Sequence, residues 1–274
     1  MVQSKKNLTQ LEEIVLAEII GKTKEFIIAH PEIKLSAAQK QRFALARKKL
    51  GKGLPLAYVL GYKWFFGNKF AVNKSVLIPR PETEMLVELA IETARKTRPQ
   101  IIVDVGTGSG AIIISLAKNL AAEKKQKTGF PKFLATDISK KALQIAKQNA
   151  KNLKTKIEFK KGNLVQPILK QLQDKGVMIS ANLPYLSAKE LIQPTIKHEP
   201  KLALYGGRKA DQKIEALIQQ LAHINFSSAT LILEINYNQA KAIKKLVEKY
   251  LEDYKQINVY KDLAGWDRIV KIIL

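Results

Sequence analysis

The ten residues Ile101-Ile-Val-Asp-Val-Gly-Thr-Gly-Ser-Gly110 decide the fold. Ile101 to Val105 is a short apolar run of the kind buried on both faces of a parallel sheet. Asp104-Val-Gly-Thr-Gly-Ser-Gly110 then forms a glycine-rich turn, and Ala111 to Leu120 reads as a helix. Gly106, Gly108 and Gly110 permit a tight turn and let a ligand approach bare backbone. With Ala111 the stretch also fits the G-x-G-x-x-A form of a dinucleotide fingerprint. A plain glycine-rich strand-to-helix turn is a third reading, so the loop alone does not choose a ligand.

The same alternation continues outward. Strands are predicted at Phe133–Asp137, Ile157–Lys160, Val177–Ala181, Thr230–Ile235, Ile257–Tyr260 and Arg268–Ile273. Helices are predicted at Lys140–Asn152, 210–223 and Gln239–Leu251, and one runs from about Pro81 to Lys96 with Pro81 at its first position. This is an α/β pattern: a parallel sheet of seven strands with helices on both faces. Its last two strands are close enough to pair as an antiparallel edge hairpin.

Upstream, Leu8, Leu11, Val15 and Ile19 fall at helical spacing, with a start signal at Thr9 and Glu12 or Glu13. His30-Pro31 breaks that pattern, and Ser36 can cap a second helix from Ala37 to Leu50. Aromatic and β-branched residues between Tyr58 and Val72 suggest a hairpin around Gly67-Asn68. The expected division is a helical domain over 1–55, a β-hairpin linker over 56–78 and a main domain over 79–274.

The chain has 274 residues, 46% of them hydrophobic, enough for a sizeable core. With no cysteine there is no disulfide framework and no thiolate chemistry. No apolar signal core or membrane-length run is found, so a cytoplasmic protein without membrane contact is expected, as a monomer. The formal net charge of +23 suits a nucleic-acid partner, or one that works on the ribosome. It equally suits a compositional bias, because the lysines are spread along the whole chain. His30, His198 and His223 form no acid/base constellation, and no metal site is expected.

In open α/β sheets, ligands bind beyond the carboxyl ends of the strands. Asp137 ends the second strand, where a carboxylate can accept from both hydroxyls of a ribose; it could instead cap the following helix, a role Ser139 can also fill. Asn163 and Leu164 follow the third strand, where Asn163 could bond the edge of an adenine and Leu164 pack on its face. They could equally be a turn residue and a core leucine. The fourth strand ends in Asn182-Leu183-Pro184-Tyr185, on the same side as the glycine loop. An amide or aromatic amine is a poor nucleophile, since its lone pair is delocalised. A site that methylates one needs acceptors for two N–H groups. The Asn182 side-chain oxygen and the Leu183 carbonyl can supply them, Pro184 holds Leu183 extended, and Tyr185 offers a face to stack on.

These features together resemble the HemK/PrmC-type protein-glutamine methyltransferases. The similarity rests on Trp64-Phe-Phe-Gly67, Leu77-Ile-Pro-Arg-Pro-Glu-Thr-Glu84, the loop 104–110, Ala135-Thr-Asp-Ile-Ser139, His198-Glu-Pro200 and Asp262 to Arg268. The antiparallel ending of the sheet is also typical of methyltransferases. The resemblance implies a class I S-adenosylmethionine-dependent methyltransferase, Rossmann-like, with a small N-terminal helical domain that helps engage the substrate. It further implies methylation of the glutamine in the Gly-Gly-Gln loop of peptide chain release factors. By it, Gly106, Thr107, Gly108, Ser109, Gly110, Asp137, Asn163, Leu164 and Asn182 would contact S-adenosylmethionine. Asn182, Leu183, Pro184 and Tyr185 would hold the glutamine amide, and Arg80 and Glu82 would shape the mouth or simply pair to fix their loop. The chain departs from the family in carrying Leu183 where Pro is usual, Asn163 for Asp and Asn236 for Gly. Asn-Leu-Pro-Tyr also occurs in ribosomal RNA adenine dimethyltransferases, which makes an adenine amino group on ribosomal RNA the rival substrate.

Overall fold

The computed structural model describes residues 8–121, 131–193 and 196–274. The first seven residues of the expected helical domain lie outside them. The chain forms two compact units, Met1–Tyr62 and Lys63–Leu274.

The first unit is helical: α1 (Gln10–Ile20), α2 (Lys24–Ala29), α3 (Ala37–Gly51) and α4 (Leu56–Leu60). Thr9 and Glu12 make a reciprocal capping box at the start of α1, and Ser36 with Gln39 makes another at α3. The stretch up to His30 is two helices, not one. Gly21 takes a left-handed conformation at φ 68° that ends α1, and the Thr23 side chain caps α2. Leu16, Ala17 and Ile27 form the core, with Phe26, Leu35 and Phe43 packed around it. The sequence pattern gave no sign of α4, which is short and held between Pro55 and a left-handed Gly61.

A hairpin follows, β1 (Tyr62–Phe65) and β2 (Asn68–Ala71). Its two-residue turn is Phe66-Gly67, one position earlier than the sequence suggested. Both residues have positive φ, 47° and 68°, the mirror-image turn whose twist matches that of paired strands. Phe66 tolerates this because its N–H donates to Glu84 Oε1 at 2.8 Å and its carbonyl accepts from Asn68 Nδ2 at 2.7 Å.

The remainder is the α/β domain: α5 (Thr83–Thr97), β3 (Ile101–Val105), α6 (Ala111–Ala121), β4 (Lys132–Asp137), α7 (Lys140–Asn152), β5 (Glu158–Lys161), α8 (Leu169–Leu172), β6 (Gly176–Ala181), α9 (Gln212–Leu221), β7 (Ser228–Glu234), α10 (Ala240–Tyr250), β8 (Gln256–Lys261) and β9 (Asp267–Ile273). The helix expected from Pro81 begins at Thr83, because the backbone N–H groups of Thr83 and Glu84 close four-residue turns onto the Arg80 and Pro81 carbonyls instead. The seven strands stand in the order β5-β4-β3-β6-β7-β9-β8. All pairs are parallel except β7–β9 and β8–β9. All five residues of β3 and all six of β6 are buried, as strands covered by helices on both faces must be. One core lies between the sheet and α9 and α10, through Ile214, Leu217, Ile243 and Val247. The other lies between the sheet and α5 and α6, through Leu86, Ile113 and Leu116, and includes Phe65 and Phe70 of the hairpin.

Asn149 of α7 ties the hairpin to this domain. Its Oδ1 accepts from Ala71 N at 2.8 Å, and its Nδ2 donates to Ala71 O at 3.0 Å and to Ser109 O at 2.9 Å. The side chain is buried, so removing it strands three backbone groups away from water. Asn149→Leu is expected to lower the unfolding free energy by about 2–4 kcal/mol. A urea titration checks this; a loss below about 0.5 kcal/mol would show that these bonds are dispensable.

Candidate active site

Strand register assembles the site. Val105, the last residue of β3, sits opposite Thr136 of β4 and Ala181 of β6. The chain therefore leaves the three strands side by side: Gly106 in the middle, Asp137, the last residue of β4, on one flank and Asn182 on the other. The order reverses here, since β4 continues to one side of β3 and β6 to the other, and the two crossovers leave a crevice between them.

The glycine loop is held from below. Gly106 N and Thr107 N both donate to Thr136 O, at 2.9 and 3.0 Å. Asp104 is fully buried under the loop. Its Oδ2 accepts from the Thr107 hydroxyl at 2.6 Å, and its Oδ1 lies 3.0 Å from the Ser180 hydroxyl of β6. Burial pushes its carboxyl up to about 7, against the downward pull of the two hydroxyls. Asp137 accepts from Gly108 N at 2.9 Å and Ser139 N at 2.8 Å, and burial raises it too despite those bonds. The Ser139 side chain caps α7, so Asp137 is not the helix cap. Leu164 has φ 53°, an uncommon left-handed backbone for a branched residue, and it carries its side chain to the crevice.

At the end of β6, Asn182 Nδ2 donates to the buried Thr83 hydroxyl at 3.2 Å. The carboxylate of Glu234, at the end of β7, lies against both Thr83 and Asn182. Burial raises it to about 7, opposed by Thr83, Asn182 and Arg268 and helped by Glu82. Leu183 is 3% exposed, and its Cδ2 stands 3.0 Å from where a Cβ on Gly106 would lie. Its side chain is thus the floor beneath the glycine loop, a role that reading it for its carbonyl alone did not reveal. Desolvation raises the Tyr185 phenol, with Glu234 adding to the effect. The following chain is fastened by Leu186 N to Leu204 O and Gly206 N to Leu186 O, both at 2.9 Å.

A cavity of about 370 Å³ opens over these strand ends. Gly106, Thr107, Gly108, Ser109, Asp137, Asn163, Leu164, Asn182, Leu183, Pro184 and Arg80 all line it. Three of the residues singled out in the sequence are not in its wall. Gly110, at φ 80°, faces α6 and α7: a Cβ there would lie 2.8 Å from Ile114 Cδ1 and 3.3 Å from Ala146 Cβ, so it serves packing. Tyr185 lies just beyond the wall, and Glu82 is exposed at the start of α5. Arg80 does not pair with Glu82. It pairs with the buried Glu199, whose Oε2 also accepts from Ile78 N at 3.0 Å. Thr83, Glu199 and Glu234 were not singled out as site residues. The signal for Glu234 was a carboxylate closing an otherwise apolar strand; Glu199 lay within the His198-Glu-Pro200 segment of the resemblance, which carried no role for it. Asn236, where the family usually has glycine, uses its side chain to donate to Glu190 Oε1 at 3.2 Å.

A family model described as PrmC N-terminal domain matches residues 9–61, and one described as methyltransferase domain matches residues 97–192. The release factor glutamine methyltransferase of Staphylococcus aureus is 31% identical over 261 residues, covering 94% of this chain and 90% of that protein. That of Coxiella burnetii is 34% identical over 259 residues, covering 94% and 89%. This chain belongs to the release factor glutamine methyltransferase family. A solved structure of the hMettl16 catalytic domain in complex with MAT2A 3′UTR hairpin 6 aligns with a TM-score of 0.56 at 14% identity, over 88% of this chain and 83% of that one. That likeness concerns the fold.

As a release factor glutamine methyltransferase, the chain is an S-adenosylmethionine-dependent enzyme. The crevice suits that cofactor on its own chemistry. Gly106 and Gly108 leave backbone bare, Asp137 sets a carboxylate at the rim, and Leu164, Ile138 and Ala142 give an apolar wall beside it. Among the described residues no helix is long and apolar enough to cross a membrane.

The buried acids set a pH dependence. A carboxyl whose folded value is raised keeps its proton where the unfolded chain has lost it, so its contribution to stability falls as pH rises through that window. For Asp104 the window runs from 3.8 to about 7. Stability is expected to decline between pH 5 and pH 7, and Asp104→Asn to flatten the decline. Urea midpoints at the two pH values measure it; an unchanged slope in the variant would show that Asp104 is ionised throughout.

Proposed function

We propose that this enzyme transfers a methyl group from S-adenosylmethionine to the side-chain amide nitrogen of the glutamine in the Gly-Gly-Gln loop of peptide chain release factors. The observation that carries this reading is the placement of Asn182-Leu183-Pro184 in one cavity with the glycine loop. In this reading Gly106 to Ser109 receive the cofactor against backbone, Asp137 takes the ribose hydroxyls, and Asn163 and Leu164 take the adenine. Asn182 Oδ1 and the Leu183 carbonyl accept the two N–H groups of the glutamine amide. Tyr185, just outside the cavity wall, stacks on the amide plane as it enters. Arg80, braced by Glu199, shapes the entrance.

The cofactor, when bound, supplies a methyl carbon made electrophilic by its sulfonium. The protein's part is to aim a weak nucleophile. Two acceptors fix the amide plane, so the nitrogen lone pair points along the line of transfer, and most of the rate comes from that positioning and from preorganised dipoles. Nitrogen forms its bond to the methyl carbon as the carbon–sulfur bond breaks. The nitrogen then bears positive charge and sheds a proton easily, so no strong base is needed beforehand. The 31–34% identity to named release factor glutamine methyltransferases over 94% of the chain supports this substrate.

The rival substrate, an adenine amino group on ribosomal RNA, is favoured by Leu183 and by the net charge of +23. Labelled S-adenosylmethionine offered with release factor or with ribosomal RNA separates the two. Label on the release-factor glutamine is expected, and label on RNA alone would overturn the assignment. Asn182→Ala should cut kcat by about 100-fold or more while circular dichroism stays unchanged. Turnover within a few-fold of wild type would remove Asn182 from its assigned role.

A further inference from the structure

Asn182 has two chemically opposite ends, and only its oxygen can accept an N–H from a glutamine amide. Something must therefore set which end faces the cavity. Its Nδ2 donates to Thr83 Oγ1 at 3.2 Å, and Thr83 is buried. Behind them stands Glu234, 1% exposed at the end of β7, with Thr83 and Asn182 both against its carboxylate. Its Oε2 has no hydrogen-bond partner among the described residues. No lysine or arginine pairs with it within ion-pair distance among the described residues. A buried carboxylate with unfilled acceptor capacity is costly and needs a reason.

We propose that Glu234 is a positioning residue that, with Thr83, draws the Asn182 amide N–H₂ inward and so turns Asn182 Oδ1 toward the nitrogen that receives the methyl group. This deepens the reading given above and rests on it. An ionised carboxylate has no proton to give, so in front of it Thr83 and Asn182 must both act as donors. With Thr83 donating to Glu234, its oxygen is left to accept from Asn182. The alternative amide orientation would set Asn182 Oδ1 against two acceptors. The arrangement thus selects one of two nearly isosteric orientations at a half-buried residue that lines the cavity.

The selection depends on charge. Protonated Glu234 gains an O–H that can donate to Asn182 Oδ1, which removes the preference. The charged or titratable groups facing Glu234 are Arg268 on β9, Glu82 at the start of α5 and Tyr185 after β6. Arg268 is itself engaged by Asp262 Oδ2 at 2.9 Å. With Glu234 raised to about 7 by burial, transfer should climb with pH between about 6 and 8.

The test compares wild type, Glu234→Gln and Glu234→Leu in methyl transfer to release factor, with cofactor affinity measured by calorimetry. Glu234→Gln cannot titrate and, like protonated Glu234, carries donors that can reach Asn182 Oδ1. It should hold kcat near the value the wild type shows at pH 6 and lose the rise between pH 6 and 8. Glu234→Leu should lower kcat about ten-fold or more, with cofactor Kd within two-fold of wild type. Persistence of the rise in Glu234→Gln, or wild-type kcat in Glu234→Leu, would overturn the proposal. If Glu234→Leu does not fold, Thr83→Val takes its place, with a three- to ten-fold loss expected and an unchanged kcat overturning the idea. A second readout needs no substrate: exchange of the ¹⁵N-labelled Asn182 side-chain amide should quicken at least about ten-fold in Glu234→Leu or Thr83→Val. Wild-type protein that leaves release factor unlabelled would sink the parent reading, while this exchange still decides the place of Glu234.

Discussion

Everything at the site depends on β3 being paired in parallel on both sides, with β4 on one flank and β6 on the other. A parallel strand must be reached by a crossover, and crossovers on the two sides of β3 run over opposite faces of the sheet. Their loops diverge above β3 and leave the gap in which the cavity opens. Matched register at Val105, Thr136 and Ala181 brings three chain exits to the edge of that gap at one height. A slip of one residue in either pair would turn the buried face of a whole strand outward, so the hydrophobic core itself enforces the alignment.

The polar groups under the gap form two separate supports. Asp104 joins β3 to β6 through Thr107 and Ser180 and steadies the glycine loop. Thr83 and Glu234 stand under Asn182 on the far side of β6. Both supports place a carboxylate where no solvent reaches, and desolvation lifts both well above their ordinary range. Such groups add little net stability, because the cost of burying them offsets what their hydrogen bonds return. Their effect is on geometry: each leaves its neighbours one low-energy arrangement. Leu183 joins the supports by packing under Gly106, so the residue that departs from the family's usual proline fills space the loop needs.

Much of the site was legible because its parts lie at strand ends. Residues 101–110, Asp137, Asn163, Leu164 and the 182–185 stretch each followed an apolar run, and a parallel sheet sends all such runs to one edge. What stayed hidden was side-chain pairing across distance. Arg80 pairs with Glu199, 119 positions away, where the sequence offered the nearby Glu82. Gly110 looked like part of a ligand loop because it shares the glycine spacing, yet its missing Cβ makes room for Ile114 and Ala146. The hairpin turn came one residue early because Glu84 and Asn68, both outside the turn, stabilise Phe66 at positive φ.

The amino-acid sequence by itself determined the alternation of strand and helix, the glycine loop, the placing of Asn182-Leu183-Pro184-Tyr185 at a strand end and the capped starts of α1 and α3. These are local facts, encoded by periodicity, caps and turn residues within a few positions of one another. Only the tertiary structure decided which carboxylate braces Arg80, which glycine serves packing, and that Glu234 stands behind Asn182. The physical reason is that burial and hydrogen-bond partnership belong to the sheet as assembled. Glu234 is merely the polar end of an apolar strand until β7 lies beside β6 and Thr83 closes over it.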